Sequence, residues 1–229
     1  MSFAPYIDHT NLKPETHADT IDQLCEEAKT HGFASVCVNG RFVERVAGQL
    51  EDSPVKACAA VGFPLGAGKT TIQAIEATAA CKDGAEEVDF VAHLPFLLDR
   101  DLDAARGQFL EVVKSARAVR RSVVVKVIFE TALLMKDVSA DEADARIAVA
   151  CQAARESGCD FVKTSTGFHP AGGATAEAVR RLRAHAGPLQ VKAAGGIRTA
   201  ADAQAMIDAG ADRIGCSAGV AIVSAGQAQ

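Results

Sequence analysis

The sequence predicts an α/β fold of the (β/α)8 TIM-barrel class, on three observations. Four segments, "EEAKTHGFASVCV", "AACKDGAEEVDFV", "AARESGCDFVKTS" and "AMIDAGADRIGCS", share one layout: the end of an alanine-rich helix, a glycine, two or three residues, then a short apolar run. The glycines (Gly32, Gly84, Gly158, Gly210) stand where a left-handed C-cap ends a helix and a short loop feeds the next strand. The apolar runs are nearly continuous, as in parallel strands covered by helices. About eight of them fit into 229 residues, and that number favours a closed barrel over an open doubly wound sheet.

In chain order the strands are read at 5–10 (PYIDHT), 34–39 (ASVCVN), 55–63 (VKACAAVGF), 86–92 (EEVDFVA), 123–129 (VVVKVIF), 160–165 (DFVKTS), 190–195 (QVKAAG) and 213–217 (RIGCS). Helical segments lie between most of them. Ser139 with Glu142 has the spacing of a capping box, and Thr199 with Asp202 is a weaker signal of the same kind. Uneven spacing between the units makes them a repeated αβ motif and not a solenoid. No linker or shift of composition divides the chain, so residues 1–229 are expected to form a single domain.

With 48% hydrophobic residues the chain can build a large core, and its net charge of −5 gives no basic footprint for nucleic acid. A bound phosphate is still compatible with that charge, because a few amides and one or two cations suffice to hold it. Seven scattered cysteines without a C-x-x-C pair suit reduced, mostly buried thiols. Asp8 interrupts the opening where a signal peptide needs apolar residues, and no run of about 18 apolar residues occurs. These features predict a cytoplasmic protein without a membrane span.

Lys163 in "CDFVKTSTGF" and Lys192 in "LQVKAAGGIRT" lie in apolar strands, where an ammonium is costly unless paired or deprotonated. They fall on consecutive strands, near the ends where barrel enzymes place catalytic groups. A lysine of ordinary pKa is a free amine in only about one molecule in 2,500 at pH 7, and lowering that pKa by about 3 takes about 4 kcal/mol. Burial and a second ammonium can supply it. The bland alternative is a pair of lysines neutralised by carboxylates. Asp89, between Val88 and Phe90, is the matching acid, either as a proton carrier or as a counter-ion. Asp8 is a weaker candidate, and Lys126 is a third strand lysine expected to pair with Asp8 or Asp89.

Gly167 in "TSTG", Gly195 and Gly196 in "AAGG" and Ser217 in "CSAG" follow strands where this fold cradles phosphate, although tight turns would also use such glycines. "VGFPLGAGKTT" misses the P-loop spacing by one residue and holds Pro64, so it is rejected as a nucleotide site. The six histidines show no metal-ligand spacing, and no G-x-G-x-x-G follows a strand; neither a metal nor another cofactor is expected.

Taken together, "YIDHTNLKPETH", "SVCVNGRFV", "AVGFPLGAGKTTIQAIEA", "GAEEVDFV", "VKVIFET", "DFVKTSTGF", "VKAAGGIRTAADA" and "RIGCSAG" resemble the deoxyribose-phosphate aldolase family, from about residue 6 to 220. The resemblance implies a metal-independent (β/α)8 barrel that cleaves 2-deoxy-D-ribose 5-phosphate to acetaldehyde and D-glyceraldehyde 3-phosphate. It implies that Lys163 forms the Schiff base, Lys192 holds the pKa of Lys163 down and Asp89 relays protons. Gly167, Gly195, Gly196 and Ser217 would bind the phosphate, and the C3–C4 bond is expected to break. Partners would be phosphosugar and aldehyde, with a homodimer as the common assembly. The sequence departs from the family pattern at His93, where asparagine is common, at Gly40 for proline, at Ala218 for a second serine, and in a tail without tyrosine. A Schiff-base aldolase with another donor or acceptor, and a non-catalytic phosphosugar-binding barrel, are the alternatives.

Overall fold

The computed structural model describes residues 2–227; the last two residues of the tyrosine-free tail lie outside them. Eight strands, β1 (Ile7–Asn11), β2 (Ser35–Asn39), β3 (Lys56–Val61), β4 (Glu87–Val91), β5 (Val124–Ile128), β6 (Phe161–Lys163), β7 (Gln190–Ala194) and β8 (Arg213–Cys216), close into one parallel barrel in chain order. All eight runs read from the sequence are strands. The observed strands are shorter, β6 most of all. Its strand ends at Lys163, but Thr164 is still paired on both sides, its N–H with Lys192 O at 3.0 Å and its carbonyl with Thr131 N–H at 2.8 Å, while its hydroxyl takes the backbone N–H of Ala194 at 3.0 Å.

Around the barrel run α1 (Ala18–His31), α2 (Val43–Gln49), α3 (Thr70–Lys82), α4 (Leu94–Leu98), α5 (Leu102–Val119), α6 (Thr131–Leu134), α7 (Ala140–Glu156), α8 (Ala176–Ala186), α9 (Ala200–Asp208) and α10 (Gly219–Gln227). Helix α1 ends on Gly32 at φ 67°, where any Cβ would be strained, and the chain enters β2 three residues later. Of the two cap signals, the one read as weaker is the complete one. The Thr199 hydroxyl takes Asp202 N–H at 3.1 Å and Asp202 returns to Thr199 N–H at 2.9 Å. At α7 the Ser139 hydroxyl takes Glu142 N–H at 3.2 Å, but the Glu142 carboxylate turns to Arg146 at 3.0 Å and Arg100 at 3.6 Å. Two guanidinium partners compete with a single backbone amide and win.

Apolar side chains pack between strands and helices. Phe90 of β4 meets Phe109 of α5 edge-on at 5.5 Å, and Phe129 stacks on Phe109 at 6.2 Å. Each is fully buried, which contributes about 2–3 kcal/mol per ring. Such barrels commonly fill their interior with branched apolar residues as well. Here the outer layer carries most of the apolar burial, and inside the barrel a small cluster of Leu12, Cys37, Cys58 and Ala60 lies beside buried charged groups.

No helix among the described residues is long and apolar enough to cross a membrane. Leu65, Ile72 and Ile75 leave large apolar side chains in solvent in and before α3, a face the sequence did not mark as a stripe. The rejected nucleotide loop has its own occupant: Gly62 N–H is taken by the Glu76 carboxylate at 2.8 Å, so the anion there is the protein's own.

Candidate active site

Strand alternation brings Asp89, Lys163 and Lys192 to one point inside the barrel. Register pairs Lys163 with Lys192 and Asp89 with Lys126, and residues in register on adjacent parallel strands point the same way. Both Lys163 Nζ and Lys192 Nζ donate to Asp89 Oδ2 at 2.7 Å, while Lys126 Nζ donates to Asp89 Oδ1 at 2.9 Å. Around this trio the charges continue. Lys192 is also ion-paired with Asp8, Lys126 with Glu87 at 2.5 Å, and Arg213 with Asp8 at 2.6 Å and Glu87 at 3.3 Å. The cluster therefore holds four cationic side chains against three carboxylates, with Lys163 the cation that meets the fewest of them.

Burial alone would raise the carboxyl of Asp89, but Lys126, Lys163 and Lys192 together hold it well below the usual range. Asp8 is lowered in the same way, burial being outweighed by Lys192, Lys126 and Arg213. Burial would lower Lys192, yet Asp8 and Asp89 push it above an ordinary lysine. Lys126 is raised for the corresponding reason, mainly by Asp89. Lys192 is thus a fixed cation beside the Lys163 amine. Cys58 adds its thiol to Asp89 Oδ1 at 3.3 Å, and burial raises that thiol well above its ordinary value. Ligand atoms of Cys37, Cys58 and Asp89 lie within 4.8 Å of one another, a grouping without histidine. Both Asp89 oxygens already take ammonium groups, which makes the trio part of the charge cluster and a poor cation site.

Above the cluster opens a cavity of about 430 Å³, lined by Lys163, Thr166, Phe168, Gly195, Gly196 and Ser217 among others. Of the three buried lysines only Lys163 reaches it. Three of the four expected phosphate residues line this space. Gly167 lies between two lining residues, and its backbone packs on Gly195, where an added Cβ would meet the Gly195 Cα at 3.3 Å. Gly195 in turn leaves a Cβ only 3.0 Å from the Cα atoms of Gly167 and Gly173, so close backbone approach accounts for this glycine pair. Gly196 has open space around it. Ser217, which lines the cavity, stands two residues before the first residue of α10.

The description "DeoC/LacD family aldolase" matches residues 3–225. The chain belongs to this aldolase family. The deoxyribose-phosphate aldolase of Thermoanaerobacter sp. (strain X514) is 48% identical to it over 224 residues, 97% of this chain and 96% of that protein. That of Bdellovibrio bacteriovorus is 46% identical over 230 residues, 100% of this chain and 99% of the relative. Among solved structures, the deoxyribose phosphate aldolase of Aeropyrum pernix superposes with a TM-score of 0.87 at 32% identity, over 98% of this chain and 91% of that one.

Within this aldolase-family barrel, four residues that the sequence did not single out adjoin the candidate site. Glu87 and Arg213 complete the charge cluster, Arg198 joins the cavity lining, and Glu130 bonds to the loop after Lys163. A signal existed for Glu87, which is two residues before Asp89 and so on the same side of β4. Lys126, expected to pair with Asp8 or Asp89, pairs with Asp89 and lies 4.0 Å from Asp8. Asp8, read as the weaker acid, is the shared counter-ion of Lys192 and Arg213.

These shifts give a definite pH dependence. Depressed carboxyls stabilise the fold above their unfolded pKa of about 4, and that contribution drains away as pH falls through the lower native values. The raised Lys126 and Lys192 contribute fully below about 10.4 and lose that as pH rises further. The stability difference between the parent and Asp89→Asn is therefore expected to be flat between about pH 5 and 9 and to shrink below about 4. Urea unfolding followed by far-UV circular dichroism measures it, and a difference that changes steadily through neutral pH would contradict the assignment.

Proposed function

We infer that this chain is a class I aldolase that reversibly cleaves 2-deoxy-D-ribose 5-phosphate to acetaldehyde and D-glyceraldehyde 3-phosphate, with residues 1–229 working as one domain in the cytoplasm. The observation that carries this reading is the position of Lys163: it is the one buried lysine that opens onto the cavity, at 2.7 Å from an aspartate shared with the fixed cation Lys192. The names of the relatives supply the substrate.

The Lys163 ammonium passes a proton to the Asp89 carboxylate 2.7 Å away, the free amine adds to the C1 aldehyde, and the carbinolamine takes a proton and loses water to leave an iminium. The C3 hydroxyl then gives up its proton while the electrons of a carbon–carbon bond move into the iminium. A two-carbon product must hold C1 and C2, so the bond that breaks is C2–C3 and not the C3–C4 bond expected from the sequence, which is one bond too far from the iminium. Glyceraldehyde 3-phosphate leaves, the enamine takes a proton at C2, and water releases acetaldehyde and the amine. Asp89 does not line the cavity; bonded to Lys163 Nζ, it is assigned the relay of protons to and from that nitrogen, with the Lys192 cation held against the same carboxylate oxygen. The phosphate is assigned to Gly195, Gly196, Ser217 and the start of α10, with Gly167 shaping the turn beside them and the exposed Arg198 supplying charge. Partners on this reading are a phosphosugar and an aldehyde, with a second copy of the chain as the macromolecular one.

A second reading, an aldolase for unphosphorylated acceptors, draws on Phe168. Its ring is half-exposed in the cavity wall and packs edge-on against Phe63 at 5.2 Å, an apolar surface at the acceptor end. Comparing 2-deoxyribose 5-phosphate with 2-deoxyribose separates the two. We expect kcat/KM to favour the phosphate ester by about 100-fold or more, and Ser217→Asp to remove about 100-fold of it by charge repulsion while leaving the free sugar unaffected. Equal rates on both sugars would select the second reading.

A further inference from the structure

Glu130 sits two residues past β5 at the mouth end of the barrel, with only 1% of its surface exposed. Two features of it are costly. Its backbone is left-handed (φ 54°, ψ 56°), a region that glycine enters freely and glutamate does not. Its Oε2 has no hydrogen-bond partner in the protein, and neither has the hydroxyl of the fully buried Thr131 beside it. A buried carboxylate in a strained backbone does not add stability, so its use is to be sought in the bond its other oxygen makes.

That oxygen, Oε1, accepts the backbone N–H of Thr166. Below this point the main chains of β5 and β6 run on past the strand ends, Phe129 N–H to Lys163 O at 3.0 Å and Thr131 N–H to Thr164 O at 2.8 Å. The Glu130 side chain carries the pairing one step further, to an amide beyond the last main-chain bond. On the opposite side Ser165 Oγ donates to Ala194 O at 2.5 Å, so the loop after Lys163 is clamped between β5 and β7. Thr166 then passes the order on, its hydroxyl accepting Phe168 N–H at 3.1 Å. Thr166 and Phe168 are the residues of this loop that line the cavity beside Lys163.

We propose that Glu130 is a positioning residue for the carbon–carbon bond step: its carboxylate holds the 164–168 loop in the register that sets the acceptor half of the substrate against the iminium on Lys163. This rests on the aldolase reading. Glu130 does not touch the reacting atoms; it acts through Thr166 and Phe168.

Glu130→Gly accepts the left-handed backbone without strain but deletes the carboxylate, and Glu130→Gln keeps an acceptor oxygen at the same reach. Thermal midpoints, kcat, KM, borohydride trapping of acetaldehyde and hydrogen exchange over 164–168 are read on all variants. For the glycine variant we expect a parent-like or higher midpoint, exchange faster by about tenfold or more, and intact trapping on Lys163. Its kcat should fall about 100-fold, the scale of a misplaced reacting group, with little change in KM. The glutamine variant should match the parent throughout. Unchanged exchange and kcat in Glu130→Gly, or a glutamine variant as defective as the glycine one, would overturn the proposal. Should the glycine variant not fold, Glu130→Asp decides, since its shorter side chain cannot reach Thr166; parent-like exchange there also overturns it. A parent that fails to cleave deoxyribose 5-phosphate would sink the aldolase reading alone, because exchange still reports whether Glu130 holds the loop.

Discussion

Lys163→Leu is expected to lose at least about 10,000-fold in cleavage rate, because no other amine reaches the cavity from the barrel interior. After acetaldehyde and borohydride the parent should carry a reduced two-carbon adduct that maps to Lys163, and the leucine variant none. The fold should not suffer. Lys163 is one of three ammonium groups on Asp89, and without it Lys126 and Lys192 still balance that carboxylate. Removing the cation also brings the buried cluster to three positive and three negative groups, so the urea midpoint should stay level or rise. An adduct mapped to Lys192 would reverse the roles of the two lysines. No adduct on the parent would favour the non-catalytic sugar-binding barrel.

Asp89→Asn should fail in both stability and chemistry. Its loss leaves Lys126 with Glu87, Lys192 with Asp8, and Lys163 with no counter-ion at all. Stranding a buried charge costs about 3–5 kcal/mol, which urea unfolding at pH 7 would show directly. Cleavage should drop by about 100- to 10,000-fold, the usual span for a lost proton carrier. Adding Lys163→Leu to this variant separates the two effects. The double variant removes the stranded cation together with its partner, so it should recover most of the stability and none of the activity. A double variant as unstable as Asp89→Asn alone would mean that Asp89 matters to the fold through Lys126 or Lys192 instead.

Much of this site was legible in the chain. A lysine inside "DFVKTSTG" or "QVKAAGG", and an aspartate inside "EEVDFV", break an apolar run at a position whose side chain points into the barrel, and such a break is costly enough to need a reason. Glu87 could have been read by the same two-residue period. Arg213 begins its strand, where a surface arginine is ordinary, so nothing local marked it. Glu130 was invisible for another reason. Its neighbours "VIFETALL" look like the run from a strand into a helix, and neither its left-handed backbone nor its bond to Thr166 has a local signature.

The alternating αβ order, the helix-ending glycines and the identities of the inward-facing lysines and aspartate are properties of short stretches, and the sequence by itself determined them. Which charge meets which was decided only by closure of the barrel. Lys163 and Asp89 are 74 residues apart, Lys192 and Asp89 are 103 apart, and Arg213 and Asp8 are 205 apart. Strand register and the pairing of β8 with β1 bring them within hydrogen-bond distance. A buried charge takes its effect from partners within a few ångströms, and for these residues every such partner comes from another strand.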